Sequence, residues 1–365
     1  MSSSVANLVN KFRGCLAGGL IGDCLGSPFE ADNPISRSVL YNFLTKQLEE
    51  SAKMFQMFPF TDDTAMTKSM AQSFIELKRF DAKDMAKRFS VEYFKDPKRG
   101  YGGNVVDVFA ALRHTHYEYP YEPARLQFNG SGSYGNGGAM RTSPVALFGF
   151  HLSDAELIEL ATNCAKITHS NRNGYNGAIL QCLAIREALQ TQSSPTDHSF
   201  DVNVYLNSLI EKMQKVETTI CTETDNNDSH NKSNGVPETP FTDKLNKIKK
   251  IFESQTKVNE LSGEKVAYIL GNDVSALKSV PSAIYSVLRG QTPIEAFQST
   301  NPFVRTLYFA LSLGGDTDTI ASMACSIAGA LYGNDLIPNP LRKHCEDIDL
   351  LIKYSEDLYD LVPNK

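Results

Sequence analysis

The order of apolar and polar residues along the chain is that of a helical protein. Apolar side chains recur every three or four residues through most of the sequence, the spacing that places them on one face of an α-helix. The alternation expected for strands is scarce, and no strand–helix–strand rhythm occurs. We therefore predict an all-α fold, with many short, orthogonally packed helices in a single large domain, residues 1–365. Helices are predicted over residues 5–26, 64–78, 82–96, 103–113, 138–150, 153–167, 174–191, 202–217, 242–255, 262–271, 274–289, 292–298, 302–313, 319–332 and 345–360.

The first predicted helix, residues 5–26, carries a glycine at every fourth position, at Gly14, Gly18, Gly22 and Gly26. Each glycine lowers helix propensity by about 1 kcal/mol relative to alanine, so four of them need a compensating gain. We expect this glycine face to approach a neighbouring helix very closely. A second predicted helix, 319–332, is equally rich in alanine and glycine and should be buried on most sides.

One long segment, residues 218–240, departs from the helical pattern. It is rich in asparagine, aspartate, serine and threonine and has almost no large apolar side chains. Such a segment cannot bury enough surface to offset the entropy lost on ordering. We interpret it as a mobile surface insertion rather than a domain boundary, because the acidic segments on its two sides need each other.

Composition narrows the class of protein. Hydrophobic residues make up 41% and charged residues 21% of the chain, as in soluble globular proteins, and no apolar run is long enough to span a membrane. The net charge of -6 argues against direct nucleic-acid binding or an anionic membrane surface. Seven scattered cysteines, without a C-x-x-C spacing, favour a reducing intracellular compartment. The nucleus, the cytoplasm and the mitochondrial matrix all stay open, and a monomer is the default expectation.

Two short acidic segments carry the strongest chemical signal: residues 61–64 (TDDT) and residues 316–319 (DTDT). Aspartate and threonine before a helix are preferred N-cap residues, worth about 1 kcal/mol, and either segment alone would be interpreted as a cap. Two segments, each with a surplus carboxylate, favour a metal site instead. Oxygen ligands without thiolate or imidazole suit Mg²⁺. We expect the fold to bring the segments together around a pair of Mg²⁺ ions.

A glycine-rich segment, residues 129–141 (NGSGSYGNGGAMR), precedes another predicted helix. Free backbone N–H groups at a helix N-terminus suit a phosphate, although a flexible loop is an equally good interpretation. Phe128 and Tyr134 flank the glycines and can stack on a base or ribose, or simply pack. His169 is a candidate for binding phosphate or sugar, although most lone loop histidines are ordinary surface residues. Glu30 follows the first helix in a loop, and the pattern alone does not single it out.

In their order along the chain, these motifs resemble the ADP-ribosylglycohydrolase family. The resemblance covers residues 11 to 360 and is carried by the glycine-rich first helix with Glu30, by both acidic segments and by the glycine-rich loop. Residues 132–135 (GSYG) and His169 are most similar to the branch that cleaves serine-linked ADP-ribose and poly(ADP-ribose). The polar insertion touches none of these motifs.

The resemblance implies a helical domain around a two-metal cleft that holds two Mg²⁺ ions per chain. It implies hydrolysis of the O-glycosidic bond between ADP-ribose and serine, or between successive riboses of poly(ADP-ribose), with ADP-ribose as product. Glu30 would lie on a mobile flap and act in catalysis, either as the acid or as a metal ligand that first moves away. The implied metal ligands are Thr61, Asp62, Asp63, Asp316, Asp318 and Thr319. The implied substrate-binding residues are Phe128, Gly132, Ser133, Tyr134, Gly135, Asn136 and His169.

Three alternatives to this activity stay open. The same fold can act on arginine-linked ADP-ribose, where the leaving atom is a guanidinium nitrogen. A non-catalytic ADP-ribose-binding protein would bind the product without turnover. A two-metal phosphohydrolase would attack the diphosphate instead of the sugar bond and release AMP. Every acidic position that the resemblance requires is filled, which favours a working enzyme with ADP-ribosylated proteins and poly(ADP-ribose) as partners.

Overall fold

In the part of the chain that the computed structural model describes, the backbone forms helices and turns and no strand. The described residues are 3–31, 35–49, 56–191, 200–224, 238–254, 258 and 261–363. The α-helices are α1 Ser3–Gly26, α2 Arg37–Gln47, α3 Asp62–Leu77, α4 Ala82–Lys95, α5 Gly103–His114, α6 Glu122–Leu126, α7 Gly137–Met140, α8 Ser143–Phe148, α9 Asp154–Lys166, α10 Arg172–Gln190, α11 Val202–Thr224, α12 Pro240–Glu253, α13 Gly263–Leu270, α14 Ala276–Gly290, α15 Pro302–Leu311, α16 Thr317–Tyr332, α17 Asn339–Lys343 and α18 Ile348–Tyr359. Their buried apolar side chains form one continuous core, so the prediction of a single all-α domain is confirmed.

Helices α1 and α16 lie at backbone contact distance from Gly14 to Gly26 of α1. A Cβ atom placed on Gly14, Gly18 or Gly22 would lie 2.2–2.3 Å from a carbonyl oxygen of α16. At the site end of the pair, a Cβ on Gly26 would lie 2.5 Å from the Cα atom of Asp318. The close approach predicted from the glycine spacing is therefore confirmed, and it joins the end of α1 to the start of α16.

This contact predicts opposite effects for the same substitution at two adjacent glycines. Gly18→Ala should lower the free energy of unfolding by about 1–3 kcal/mol, because its Cβ would lie 2.2 Å from the Cys325 carbonyl oxygen. Gly19→Ala is the matched control. Its Cβ would lie 3.5 Å from the Ser326 Cβ, an ordinary contact, so the gain in helix propensity of up to about 1 kcal/mol should dominate. Urea denaturation of the two variants measures both values, and equal stabilities would contradict the packing argument.

Two predicted helices differ from those observed. The predicted helix 292–298 is wrong: this segment is a tight turn in which Phe297 N donates to Ile294 O at 3.0 Å, and the turn buries the side chains of both residues against the core. The predicted helix 138–150 is divided into α7 and α8, with Pro144 at the start of the second. Helices α2, α6 and α17 were not predicted from the sequence.

The polar insertion begins as a continuation of a helix. Helix α11 runs through Thr224, so the first part of the predicted mobile segment is helical, and residues 225–237 lie outside the described residues. Its two ends are joined by the buried carboxylate of Glu217, which accepts hydrogen bonds from Phe241 N at 3.0 Å and from Thr242 N at 3.0 Å. The insertion therefore leaves and re-enters the domain at one point.

Among the described residues, no helix is both long enough and apolar enough to cross a membrane.

Candidate metal centre and substrate cleft

The two acidic segments meet in the folded chain. The Thr319 hydroxyl of the later segment donates a hydrogen bond to Asp63 Oδ1 of the earlier one at 3.2 Å. Glu30, Asp316 and Asp318 each offer a carboxylate oxygen, and these three atoms lie within 4.8 Å of one another. Acidic side chains from three separate parts of the sequence therefore share one small volume.

The earlier segment is held by Asp23, to which the sequence analysis assigned no role. Asp23 is fully buried in α1, and its carboxylate accepts from Thr61 N at 3.0 Å, from Thr64 N at 3.1 Å and from the Thr64 hydroxyl at 2.5 Å. The Thr61 hydroxyl caps the same helix by accepting from Asp63 N at 3.3 Å. Free N–H groups at the start of α3 are thus satisfied from α1, which fixes where Asp62 and Asp63 lie.

The later segment is held by hydrogen bonds with Asn272 and Asn136. Gly315, at φ +72°, turns the chain into α16, and Asp316 N donates to the Asn272 carbonyl at 2.9 Å. The Asn136 amide donates to Asp316 Oδ2 and also to the Ser279 hydroxyl at 3.1 Å. Asn136, which was predicted to bind substrate, therefore also orients a candidate metal ligand.

Glu30 lies on a short irregular segment directly above the acidic cluster. It follows a single 3₁₀ turn, Ser27–Phe29, as the loop interpretation predicted. Its neighbour Ala31 adopts a left-handed φ of 66° and donates from its backbone N to the Gly315 carbonyl at 2.8 Å. This contact attaches the Glu30 segment to the turn that carries Asp316, while the Glu30 side chain stays exposed.

A cleft of about 370 Å³ runs from the acidic cluster to the glycine-rich loop. Gly132 lies behind the cleft, because its missing side chain admits Asn171, whose N would be 2.6 Å from a Cβ. Thr61 does not line the cleft either; it is the N-cap residue of α3. The other predicted residues line it: Glu30, Asp62, Asp63, Asp316, Asp318, Thr319, Phe128, Ser133, Tyr134, Gly135, Asn136 and His169.

Aromatic rings and a second loop form the mouth of the cleft. The Phe128 and Tyr134 ring centroids are 6.0 Å apart at an interplanar angle of 39°, and both rings are more than two-fifths exposed. Residues 100–105 form the opposite wall and were not predicted from the sequence. Their only local signal is the run of three glycines around Tyr101 between two predicted helices, which is common in ordinary turns.

Burial and mutual repulsion raise the pKa of every carboxyl group in the cluster. The pKa of Asp62 is raised to about 8 and that of Asp318 to about 10, in both cases first by desolvation and then by neighbouring carboxylates. Asp63 and Asp316 shift in the same direction. Asp63 Oδ2 is buried and has no hydrogen-bond partner among the described residues. An oxygen-only donor set with an unsatisfied buried carboxylate oxygen fits a divalent cation such as Mg²⁺.

Without bound cations this cluster should make the stability of the fold depend on pH. The pKa values of Asp62 and Asp318 are raised above that of an unfolded aspartate, about 4, so the folded state binds more protons. Their stabilising contribution is complete below that value and is lost as the pH rises through about 8 and about 10. We expect the melting temperature in EDTA to fall between about pH 6 and about pH 9 and saturating MgCl₂ to remove most of that fall. Calorimetry in both buffers measures this, and identical pH profiles would contradict it.

His169 lies on the glycine-loop side of the cleft and is uncharged at neutral pH. Its Nδ1 is 2.7 Å from the Thr168 hydroxyl. Burial and then the nearby Arg141 guanidinium lower its pKa to about 3. Unlike the surface histidine that its loop position suggested, it is 7% exposed and part of the cleft wall.

Comparison with known proteins agrees with this site. The family model described as ADP-ribosylglycohydrolase matches residues 4–365. ADP-ribosylhydrolase ARH3 of Mus musculus is 42% identical over 352 residues, which cover 95% of this chain and 90% of that protein. ADP-ribosylhydrolase ARH3 of Homo sapiens is 41% identical over 346 residues, which cover 93% of this chain and 90% of that protein. A solved structure described as an ADP-ribosylglycohydrolase-related protein complex, 18% identical, shows the same fold with a TM-score of 0.65 over 98% of this chain and 99% of that one. The resemblance seen in the motifs is confirmed, and the chain belongs to the ADP-ribosylglycohydrolase family.

Proposed function

We propose that the protein is a Mg²⁺-dependent hydrolase that releases ADP-ribose from modified serine side chains and from poly(ADP-ribose). The observation that carries this proposal is the meeting of the two acidic segments at one end of a cleft whose other end is a glycine-rich loop. Relatives about two-fifths identical over nearly the whole chain are named ADP-ribosylhydrolase, which supports the same class of substrate here.

The acidic end of the cleft is the proposed place for the cations. When bound, Mg²⁺ ions would orient the vicinal hydroxyls of the ribose and polarise a water molecule. The proposed ligands are Thr61, Asp62, Asp63, Asp316, Asp318 and Thr319. This chain's own contribution is to hold these oxygens in place, through Asp23 for the earlier segment and Asn136 for the later one.

Glu30 is the proposed source of the proton for the leaving oxygen. Cleavage of a glycosidic bond passes through an oxocarbenium-like state and is assisted by a carboxylic acid beside the leaving group. Burial and the Asp316 charge raise the pKa of Glu30, which keeps a larger fraction of it protonated than a solvated glutamate at neutral pH. Its carboxylate lies beside the acidic cluster yet stays exposed at the cleft, where a substrate oxygen can reach it.

The remaining cleft residues suit the ADP half of the substrate. Residues 133–137 lie ahead of α7 and at its start, where backbone N–H groups favour a diphosphate. Gly135 N and Asn136 N already donate to Ser133 Oγ and to the Val274 carbonyl, so the proposed donors are the N–H groups of the other residues. The exposed rings of Phe128 and Tyr134 stand at the mouth, where an adenine can stack against them. Along the cleft, we therefore propose that the scissile bond lies at the acidic cluster, the diphosphate lies at the glycine-rich loop, and the adenine base lies at the rings of Phe128 and Tyr134.

A product assay tests this proposal and separates it from its alternatives. Purified protein is incubated with serine-linked ADP-ribosyl peptide, arginine-linked ADP-ribosyl peptide and poly(ADP-ribose), each with Mg²⁺ and with EDTA, and the products are identified by mass. We expect intact ADP-ribose from the serine-linked peptide and the polymer only when Mg²⁺ is present. Release from the arginine-linked peptide alone, release of AMP, or ADP-ribose binding without any turnover would each refute the proposed activity.

A further inference from the structure

The imidazole of His169 reaches the cleft through a gap left by two glycines. A Cβ on Gly135 would lie 3.4 Å from His169 Nε2, and a Cβ on Gly137 would lie 2.8 Å from His169 Cε1 and 3.1 Å from Nε2. Both glycines and His169 line the cleft. Any side chain at position 137 would cover the Nε2 edge of the ring, so the glycines keep that edge open to a ligand.

The other edge of the ring is held by a chain of buried polar groups. The Arg141 guanidinium donates to the Thr168 hydroxyl at 2.7 Å, and the same hydroxyl lies 2.7 Å from His169 Nδ1. An arginine only donates, so the Thr168 oxygen accepts from it and has one proton left to give. Nδ1 is within reach of that proton. If Nδ1 accepts this hydrogen bond, it carries no proton itself, and the single proton of the neutral imidazole is on Nε2.

Arg141 is held in place by several buried contacts. It is 1% exposed, donates to the Gly137 carbonyl at 2.9 Å and lies over the Phe89 ring at 4.6 Å. None of the acidic side chains that the structure describes forms an ion pair with it. A buried cation beneath the glycine-rich loop favours a negative ligand in the cleft and disfavours a second positive charge on His169.

We propose that Thr168 and Arg141 are positioning residues that fix His169 as the Nε2–H tautomer, so that a neutral donor faces the diphosphate between Gly135 and Gly137. This inference rests on the proposed function for the identity of the ligand. It adds that the protein fixes His169 Nε2–H as a hydrogen-bond donor before the ligand binds, without a second proton on the ring. The lowered pKa of His169 agrees with this, because a ring held neutral keeps one donor across the physiological pH range.

The tautomer can be measured directly in the ligand-free protein. Two-bond ¹H–¹⁵N correlation spectra of histidine-labelled protein distinguish Nε2–H, Nδ1–H and doubly protonated rings, and His169→Gln identifies the signal. We expect wild-type His169 to be Nε2–H. Thr168→Val keeps the shape of the side chain and removes the hydroxyl, so it should mix the tautomers and weaken ADP-ribose binding about tenfold by calorimetry. Thr168→Ser, which retains the hydroxyl, should restore both.

A matched control exists on the neighbouring helix α9. The Thr162 hydroxyl donates to the Ile158 carbonyl at 2.7 Å, and Thr162 does not line the cleft. Thr162→Val should therefore leave the His169 signal and the ADP-ribose affinity unchanged. If His169 in the wild-type protein is Nδ1–H or doubly protonated, the proposed positioning by Thr168 and Arg141 is wrong, even if no variant at position 168 folds. A Thr168→Val variant with the wild-type tautomer and the wild-type ADP-ribose affinity would also overturn it. Absence of any ADP-ribose binding would instead refute the proposed function, leaving the wild-type spectrum to decide the tautomer.

Discussion

Replacement of Asp318 by asparagine should abolish hydrolysis and at the same time stabilise the metal-free protein. Asp318 is 5% exposed, and Asp316 and Asp23 add to the burial that raises its pKa to about 10. Folding must therefore either protonate this carboxyl group or bury it as a repelled charge, and both cost free energy. An amide of the same shape removes that cost, so the melting temperature in EDTA should rise. The same change removes a proposed Mg²⁺ ligand. Since cation-assisted polarisation is worth several kcal/mol, turnover should fall about a thousandfold or more.

Three measurements on this variant separate the two effects. Steady-state release of ADP-ribose reports turnover, titration calorimetry with MgCl₂ reports cation affinity, and thermal melting in EDTA reports stability. Asp349→Asn, at an exposed acid in the first turn of α18, is the control and should change none of the three appreciably. A variant that keeps wild-type turnover in Mg²⁺, or wild-type protein that works at full rate after chelation, would show that no cation at this cluster takes part.

Replacement of Glu30 by glutamine should lower turnover by about 10²- to 10⁴-fold while ADP-ribose binding stays measurable. Loss of a general acid costs a rate factor of this size. The Glu30 side chain is exposed, so we expect the fold to tolerate its replacement. Glu264→Gln, at an exposed glutamate in the first turn of α13, is the matched control and should be indistinguishable from wild type.

The leaving group decides between the two roles considered for Glu30. An aryl-linked ADP-ribose departs without a proton, so the Glu30→Gln variant should regain most of its rate on this substrate if Glu30 is the acid. If Glu30 instead acts by occupying and then leaving a metal position, the loss should be equal for serine and aryl leaving groups and Mg²⁺ affinity should change. Unchanged turnover of the serine-linked peptide by Glu30→Ala and Glu30→Gln would remove Glu30 from the mechanism.

The parts of this architecture that follow a local rule were predictable from sequence. A glycine at every fourth residue of one helix has few explanations besides close packing, and the partner is the small-residue helix α16. The paired acids of residues 61–64 and 316–319 were grouped by their chemistry, because hard cations need such oxygens wherever the chain supplies them. Their contact through Thr319 and Asp63 is what that chemistry requires.

Other parts depend on contacts between distant segments and leave little local trace. Asp23 looks like one polar residue on a glycine-rich helix, and only the fold shows that it caps α3. In the sequence, Arg141 falls inside the predicted helix 138–150. In the structure α7 ends just before it, and its side chain makes buried hydrogen bonds with Gly137 and Thr168. The next helix begins with Pro144 in its first turn. Segment 292–298 has a helical apolar pattern, but in the fold a tight turn buries Ile294 and Phe297 against the core instead.

The backbone contact between α1 and α16 also bears on how the protein is made. Its two partners are far apart in sequence, at Gly14 and Gly329, so they meet only after the whole stretch between them has been synthesised. Contacts of such long sequence separation slow folding. Until α16 has been synthesised as far as Tyr332, the glycine face of α1 has no packing partner. A translation product that ends before α16 lacks the packing partner of α1 and part of the acidic cluster, so we expect it to be inactive.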